Sequence, residues 1–320
     1  MAARPAIRLV VTAAPDEGRG HLARAIGLAG AIRRRDTTVP LELEILRGAT
    51  SERERHLLAE RGIILASGME NGRDVTIVDL PDPNEVAGLV GPLFVFDDRE
   101  LFAGQAAVVV QPSMPSWSGR AAADRVLVGY EYAPLDERYL ALGEAAVGAE
   151  DRVLTLLVCF GGSDPDDVTG RVGPALVGDD RWRTTIVVGA GYRGSVEHGP
   201  AAATVVRDPE DLPGRLASCD LAVLGAGTMK FEAAFLGRPA ILLAAADDQL
   251  PVGPAFAATG AAIYLGDGRT IAPKLVTEVV EGLAGDDPAR RAMGRRAREV
   301  VDGRGGERLA AAILDLAGSR

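Results

Sequence analysis

The chain is poor in several residues that mark specialised chemistry, and each scarcity removes a class of function. Two cysteines in 320 residues exclude a disulfide-stapled scaffold. Cys159 and Cys219 sit in separate apolar, strand-like runs with no CxxC spacing, so they read as buried free thiols. With three histidines and no His/Cys/Asp cluster at ligand spacing, no metal site is expected. Aromatic residues make up only 4% of the chain, which leaves an aliphatic core. Basic residues are outnumbered 35 to 45, for a net charge of −10; a nucleic-acid surface needs the opposite balance. A phosphate-bearing ligand would then depend on helix N-termini and a few arginines rather than on a global field. No apolar run reaches the length of a membrane span, and MAARPAIRLVVTAA holds too short a run for a signal peptide, so the expected location is cytoplasmic. There is no low-complexity tract and no periodic repeat.

What is present is ordinary for a soluble globular protein: 47% hydrophobic and 25% charged residues. The length suits two domains of roughly 150 residues each. Short apolar strands, glycine-bearing loops and helices alternate, pause over Gly143–Asp151, and begin again at Val153. This pattern predicts an α/β protein with two parallel-sheet domains facing each other across a cleft. The expected boundaries are 1–145 for the first domain and 146–304 for the second. A C-terminal helix over 305–320 is left available to pack back on the first domain.

The most informative stretch is Leu221–Gln249. It reads as a strand (Leu221–Leu224), a small-residue turn (Gly225-Ala226-Gly227-Thr228), a helix, a Gly-Arg-Pro break, a second strand (Ala240–Ala246) and the loop Asp247-Asp248-Gln249. Free N–H groups at a helix start, with the positive end of the helix dipole, seat a phosphate or diphosphate. Glu232, one turn into the helix, can accept two hydrogen bonds from a vicinal diol such as a ribose. The Asp-Asp-Gln loop follows at a strand's C-terminal end, where open α/β sheets bind ligands. Together these point to a nucleotide-sugar site; a ligand-free turn followed by a solvated glutamate is the plainer reading of the same residues.

Two other glycine loops carry candidates. Gly18-Arg19-Gly20-His21 places a histidine at the start of the first helix, where the dipole disfavours the imidazolium and leaves a neutral proton acceptor. His21 is thus either a general base or a local cap. Gly161-Gly162-Ser163-Asp164-Pro165 allows close backbone approach to a ligand, with Ser163 as a cap or oxyanion donor, or is a tight turn. Asp97-Asp98, at a strand end, offers two readings, orienting a substrate or, more simply, capping the next segment; His56 and His198 read as bystanders. Arg33-Arg34-Arg35 reads as a solvated helix end.

Several blocks together resemble a known family. GRGHLARAIGLA resembles the G-x-G-H-x-x-R-x-x-x-L-A signature that opens many proteins of the glycosyltransferase-B (GT-B) fold. FDD at Phe96–Asp98, GYEYAPLDERY at Gly129–Tyr139 and FGGSDPDDVT at Phe160–Thr169 resemble the nucleotide-sugar hydrolase of the pseudaminic acid pathway and its spore-coat polysaccharide relatives. GAGTMKFEAAFLGRP at Gly225–Pro239, DDQ at Asp247–Gln249 and DGRGGERLA at Asp302–Ala310 continue in the family's order. The lipid-linked N-acetylglucosaminyltransferase of peptidoglycan synthesis is similar more distantly.

The resemblance implies two Rossmann-like domains of the GT-B fold and no cofactor. It puts the family's proposed base on His21. The nucleotide and diphosphate seat falls on Gly227, Thr228 and Glu232, with Gly20, Gly162 and Ser163 completing it, and the sugar lies by Asp248 and Gln249. Two departures stand out: Asp248 replaces the family's usual Asn, and Met229-Lys230 follows an altered Gly-Ala-Gly-Thr turn. The expected activity is metal-independent hydrolysis of a nucleotide-diphospho-sugar, UDP-linked amino or deoxy sugars first, in surface-glycan or specialised sugar synthesis. Glycosyl transfer from the same donor is the first alternative and a non-catalytic nucleotide-sugar binder the second. The expected partner is a nucleotide-sugar substrate, with no nucleic acid and no integral membrane segment.

Overall fold

The computed structural model describes residues 6–14, 17, 19–66, 75–86, 88–89, 91–143, 153–196 and 203–318. All but the first residue of the expected inter-domain passage Gly143–Asp151 lies outside the described residues, as do Gly18 and His198. The chain divides into two compact units, Met1–Glu137 with Gly303–Arg320, and Arg138–Asp302.

The first unit is built on β1 (Ile7–Ala13), α1 (Gly20–Arg35), β2 (Leu41–Gly48), α2 (Glu52–Glu60), β3 (Ile63–Ala66), β4 (Val75–Asp79), β5 (Leu93–Phe96), β6 (Gln105–Gln111) and β7 (Ala122–Val128). Its seven strands form one sheet in the order β3-β2-β1-β4-β5-β6-β7, every pairing parallel. The side-chain period of two splits the central strand between two cores. Ile7, Leu9 and Val11 meet α1, whereas Val10 joins Val78, Val95 and Val109 on the opposite face. Burial on both faces explains the continuous apolar runs IRLVV and LFVF. One polar pair interrupts them: Arg8 stands opposite Glu42 across the β1–β2 register and is buried, bound to Glu42 at 3.0 Å and Glu44 at 3.3 Å.

The second unit begins in α3 (Glu137–Leu140), which straddles the division. It continues with β8 (Leu154–Cys159), α4 (Val168–Val172), β9 (Trp182–Val188), β10 (Ala203–Arg207), α5 (Leu212–Ser218) and β11 (Leu221–Gly225). After these come α6 (Met229–Phe235), β12 (Ala240–Ala244), α7 (Gln249–Ala257), β13 (Ile263–Asp267), α8 (Pro273–Ala284) and α9 (Asp287–Val300). Its six strands run β10-β9-β8-β11-β12-β13, again all parallel. The closing helix α10 (Gly305–Gly318) returns to the first unit, where Leu309, Ala310 and Ile313 join the core beside α1. Glycine is required where it starts, because a Cβ on Gly305 would lie 2.2 Å from the carbonyl oxygen of Ala133.

Two local expectations are corrected, and one short helix is irregular. Gln249 does not end a loop but opens α7, a helix that Pro251 and Pro254 conceal in the sequence. The run Val168–Leu176 is a short α-helix that tightens into a 3-10 turn at Gly173–Leu176, where Pro174 interrupts the amide ladder. Arg33 is not a solvated helix end: it donates to the carbonyls of Arg61 at 2.9 Å and Gly62 at 2.7 Å, closing the end of α2.

In each sheet the strand order reverses once, between β1 and β4 and between β8 and β11. Parallel α/β sheets bind ligands beyond the strand C-termini at such points.

Candidate active site

In the first unit, the β1/β4 reversal point holds His21. Gly20 begins α1, the preceding position, Arg19, makes no side-chain cap, and His21 turns instead toward the end of β4. Its Nδ1 lies 2.7 Å from Oδ1 of Asp79, the last residue of that strand. Arg24, one turn along α1, embraces the same carboxylate, with Nε donating to Oδ2 at 2.6 Å and Nη2 to Oδ1. Its Nη1 donates to Asp98 at 2.6 Å, and its guanidinium lies over the Phe96 ring, 4.6 Å from the centroid.

Burial would raise the Asp79 carboxyl, but the charges of Arg24 and His21 override it and hold the pKa down at about 2. Asp79 is therefore ionised across the working range, and an ionised carboxylate can only accept. When the imidazole carries a single proton, Asp79 fixes it on Nδ1 and leaves Nε2 as an acceptor, the arrangement a general base needs. Asp97 and Asp98 divide their labour. Asp97 caps the following turn, accepting from the amides of Leu101 at 2.8 Å and Phe102 at 3.1 Å. Asp98 pairs with Arg24, and Gln111 braces both by donating to their carbonyls.

In the second unit, the loops after β8 and β11 flank the β8/β11 reversal point. Gly162 is pressed against the β9 exit: a Cβ on Gly189 would lie 2.2 Å from its oxygen, and Gly191 N–H donates to that oxygen at 2.9 Å. Ser163 is buried. Asp164 caps α4 by accepting from the amides of Val168 at 3.0 Å and Thr169 at 2.7 Å.

Beyond β11, Lys230 reaches back under the Gly225–Thr228 turn. It is 2% exposed, and its ammonium donates to the carbonyls of Ala226 and Gly227, each at 3.0 Å. The ammonium also sits 4.1 Å from the Phe231 ring centroid. A trans peptide points its C=O and N–H in opposite directions. With both carbonyls turned to Lys230, the N–H groups of Gly227 and Thr228 point to the other side together. The Thr228 side chain makes no capping bond. Gln249 covers the turn: its Oε1 accepts from Ala245 N at 3.1 Å, and its Nε2 lies 3.4 Å from where a Gly227 Cβ would be.

Glu232 is half-buried on α6, near the buried side chain of Tyr139. Burial and Glu232 together push the Tyr139 hydroxyl well above its ordinary range, so it remains a donor. Cys159, nearby at the end of β8, is pushed up to about 12 by burial, and Cys219 likewise. Both thiols are free and buried, and neither is poised as a nucleophile.

The structure thus gathers Gly227, Thr228 and Gln249 around one turn and sets Glu232 on the helix that leaves it. Gly162 and Ser163 lie on the neighbouring loop, while Gly20 and His21 share the first turn of α1 in the other unit. Asp248 is exposed and its side chain makes no capping bond to α7, while Asp247 pairs with Arg269 at 2.7 Å. Sequence reasoning missed Asp79, Arg24, Lys230 and Tyr139. A lone carboxylate closing an otherwise apolar strand, VTIVD, was the available sign of the first. Among the described residues no group of three or more His, Cys, Asp or Glu is arranged to hold a metal ion. No helix there is long and apolar enough to cross a membrane.

Two all-parallel α/β units, each with its polar residues at the reversal point of its sheet, make this a GT-B fold protein. The MurG structure from Acinetobacter baumannii matches with a TM-score of 0.62 and 17% identity, covering 97% of this chain and all of that one. The spinosyn rhamnosyltransferase SpnG, in complex with thymidine diphosphate, matches with a TM-score of 0.63 and 16% identity over 98% of this chain and 100% of its own. In sequence, the chain is similar to the spore coat polysaccharide biosynthesis protein SpsG of Bacillus subtilis (strain 168), 26% identical over 201 residues. That match spans 60% of this chain and 59% of the relative's length, less than two thirds of either. No family model matches the chain.

Proposed function

We propose that the protein is a nucleotide-diphospho-sugar hydrolase, with the first unit supplying the base and the second the seat of the leaving nucleotide. The observation that carries this reading is the bond from Asp79 to Nδ1 of His21, which leaves Nε2 to take a proton. Nε2 takes the proton of a water whose oxygen attacks the anomeric carbon. The bond from that carbon to the diphosphate oxygen breaks, and its electron pair leaves with the diphosphate. The paired N–H groups of Gly227 and Thr228 receive the charge, with Lys230 behind them supporting the same peptide dipoles. Thr228 Oγ1, Ser163 Oγ and Gly162 extend the diphosphate seat, Gly20 keeps the entry to α1 free of a side chain, and Glu232 accepts from the ribose hydroxyls. Asp248 and Gln249 are assigned to the sugar. The named role of SpsG in polysaccharide biosynthesis and the thymidine diphosphate held by SpnG are both compatible with such a substrate.

Glycosyl transfer is the second reading, favoured by the structural neighbour SpnG, a spinosyn rhamnosyltransferase on the same fold. It uses the same base on an acceptor hydroxyl. Incubation with a panel of UDP-, CMP- and GDP-sugars, with and without hydroxyl acceptors, separates the two. Hydrolysis predicts release of free sugar at a rate that acceptors leave unchanged. Turnover that appears only with an acceptor assigns transfer, and binding without turnover of any donor assigns a non-catalytic role.

A further inference from the structure

His21 and Arg24 stand three residues apart on α1, so both side chains leave the same face of the helix, and both reach the carboxylate that closes β4. They use it differently. His21 occupies one oxygen, with Nδ1 at 2.7 Å from Oδ1. Arg24 takes both, Nε on Oδ2 at 2.6 Å and Nη2 on Oδ1, and this fork sets the plane of the carboxylate. The guanidinium is fixed in turn from two further sides, by Asp98 on Nη1 at 2.6 Å and by the Phe96 ring that it covers. Arg24 is 7% exposed and Asp79 3%. Burying such charges costs desolvation that apolar side chains of similar size avoid, and stability alone rarely repays it. The cluster therefore calls for a reason beyond folding, and the imidazole bound to the same carboxylate supplies one.

A carboxylate anion beside an imidazole stabilises its cation, and the cation has no lone pair with which to take a proton. Asp79 alone would thus orient His21 and, over part of the pH range, disable it. Among the described residues, the charged groups gathered around His21 are Arg24 on α1, Asp79 on β4 and Asp98 beyond β5. Glu17, on the loop after β1, is engaged by Thr12 and Arg47. The positive charge nearest the shared carboxylate is therefore that of Arg24. We infer that Arg24 is a positioning residue that acts through Asp79: it holds the carboxylate in plane for Nδ1 and offsets its charge, so that His21 keeps its acceptor lone pair to lower pH than Asp79 alone would allow. This rests on the reading of His21 as the base. It goes beyond that reading by assigning the pH range in which the base works to a third side chain.

The test follows the imidazole itself. With ¹³C-labelled histidine in the full chain, His21→Ala assigns the His21 resonance among the three histidines, and a pH titration by NMR gives its midpoint. Arg24→Met keeps a buried stem and removes the charge, and the midpoint should rise by about 1 pH unit. Arg24→Lys restores a charge and should bring the midpoint back to within about 0.3 unit of wild type. An unchanged or lowered midpoint in Arg24→Met overturns the inference. Equal shifts in the two variants reduce Arg24 to packing and overturn it as well. If Arg24→Met does not fold, the unmodified chain decides. The Arg24 Nε–H and the imidazole share one carboxylate, so the Nε resonance should move with the His21 midpoint; one that holds still through it overturns the inference. Neither measurement needs turnover. Where a donor does turn over, the acid limb of kcat/KM should follow the imidazole midpoint from variant to variant. A limb that stays put while the midpoint moves removes His21 as the base and leaves the hold of Arg24 on it intact.

Discussion

Changing Asp79 to Asn alters two quantities whose sizes follow from the geometry. The amide keeps the volume of the carboxylate but offers one acceptor and one donor in place of two acceptors. With its NH₂ toward His21 it would force Nδ1 to accept, moving the imidazole proton to Nε2 and removing the base. In hydrolases where a carboxylate fixes the histidine tautomer, this loss lowers turnover by up to roughly 10⁴-fold, so about 10²- to 10⁴-fold is expected in kcat with little change in KM. The second effect is on stability. The Asp79 pKa of about 2 lies below its ordinary value of 3.8. A depressed carboxylate stabilises the fold above its unfolded-state pKa, and that stabilisation is lost as pH falls through the folded value. The shift corresponds to about 2 kcal/mol at neutral pH. Urea melts of wild type and Asp79→Asn should therefore differ by at least about 2 kcal/mol at pH 7, with the gap closing between about pH 5 and pH 2. A folded variant with kcat within about 3-fold of wild type, or a stability gap constant over that range, refutes the assigned role of Asp79.

Other outcomes follow from the same site. His21→Ala should lower turnover by about 10²-fold or more while leaving nucleoside diphosphate affinity nearly unchanged, as steady-state kinetics and calorimetry would show. Lys230→Met keeps the buried stem but frees the carbonyls of Ala226 and Gly227. It should weaken a nucleoside diphosphate roughly 10-fold and the parent nucleoside hardly at all, by parallel titration. Turnover should persist after EDTA treatment; abolition reversed by Mg²⁺ or Mn²⁺ would contradict the site's residue assignments.

The fold was legible because each sheet is covered on both faces. Runs such as VLTLLVCF and LFVF need no amphipathic alternation, and glycine loops at their C-terminal ends mark the strand-to-helix turns. What escaped was whatever depends on pairing across the chain. Asp79 lies 58 residues from His21, and nothing local distinguishes it from a loop-opening aspartate. Lys230 read as an oddity in the turn, since a lysine at that position signals solvent until its carbonyl partners are known. Tyr139 lay within a resembling block but carried no sign that it would lie near Glu232. Asp97 was read as a cap, and it is one. The helix α7 was hidden by its prolines: Pro251 falls in the first turn, where its missing N–H costs nothing, and only Pro254 breaks the ladder.

The central claim is that His21 activates water against the anomeric carbon, and the fate of the water oxygen reports on it directly. The donor that turns over in the panel is hydrolysed in H₂¹⁸O and the products are weighed by mass spectrometry before the sugar can exchange its anomeric oxygen. The account predicts ¹⁸O in the released sugar and none in the nucleotide. Label in the phosphate would mean that the phosphorus–oxygen bond is the one broken, and would contradict it.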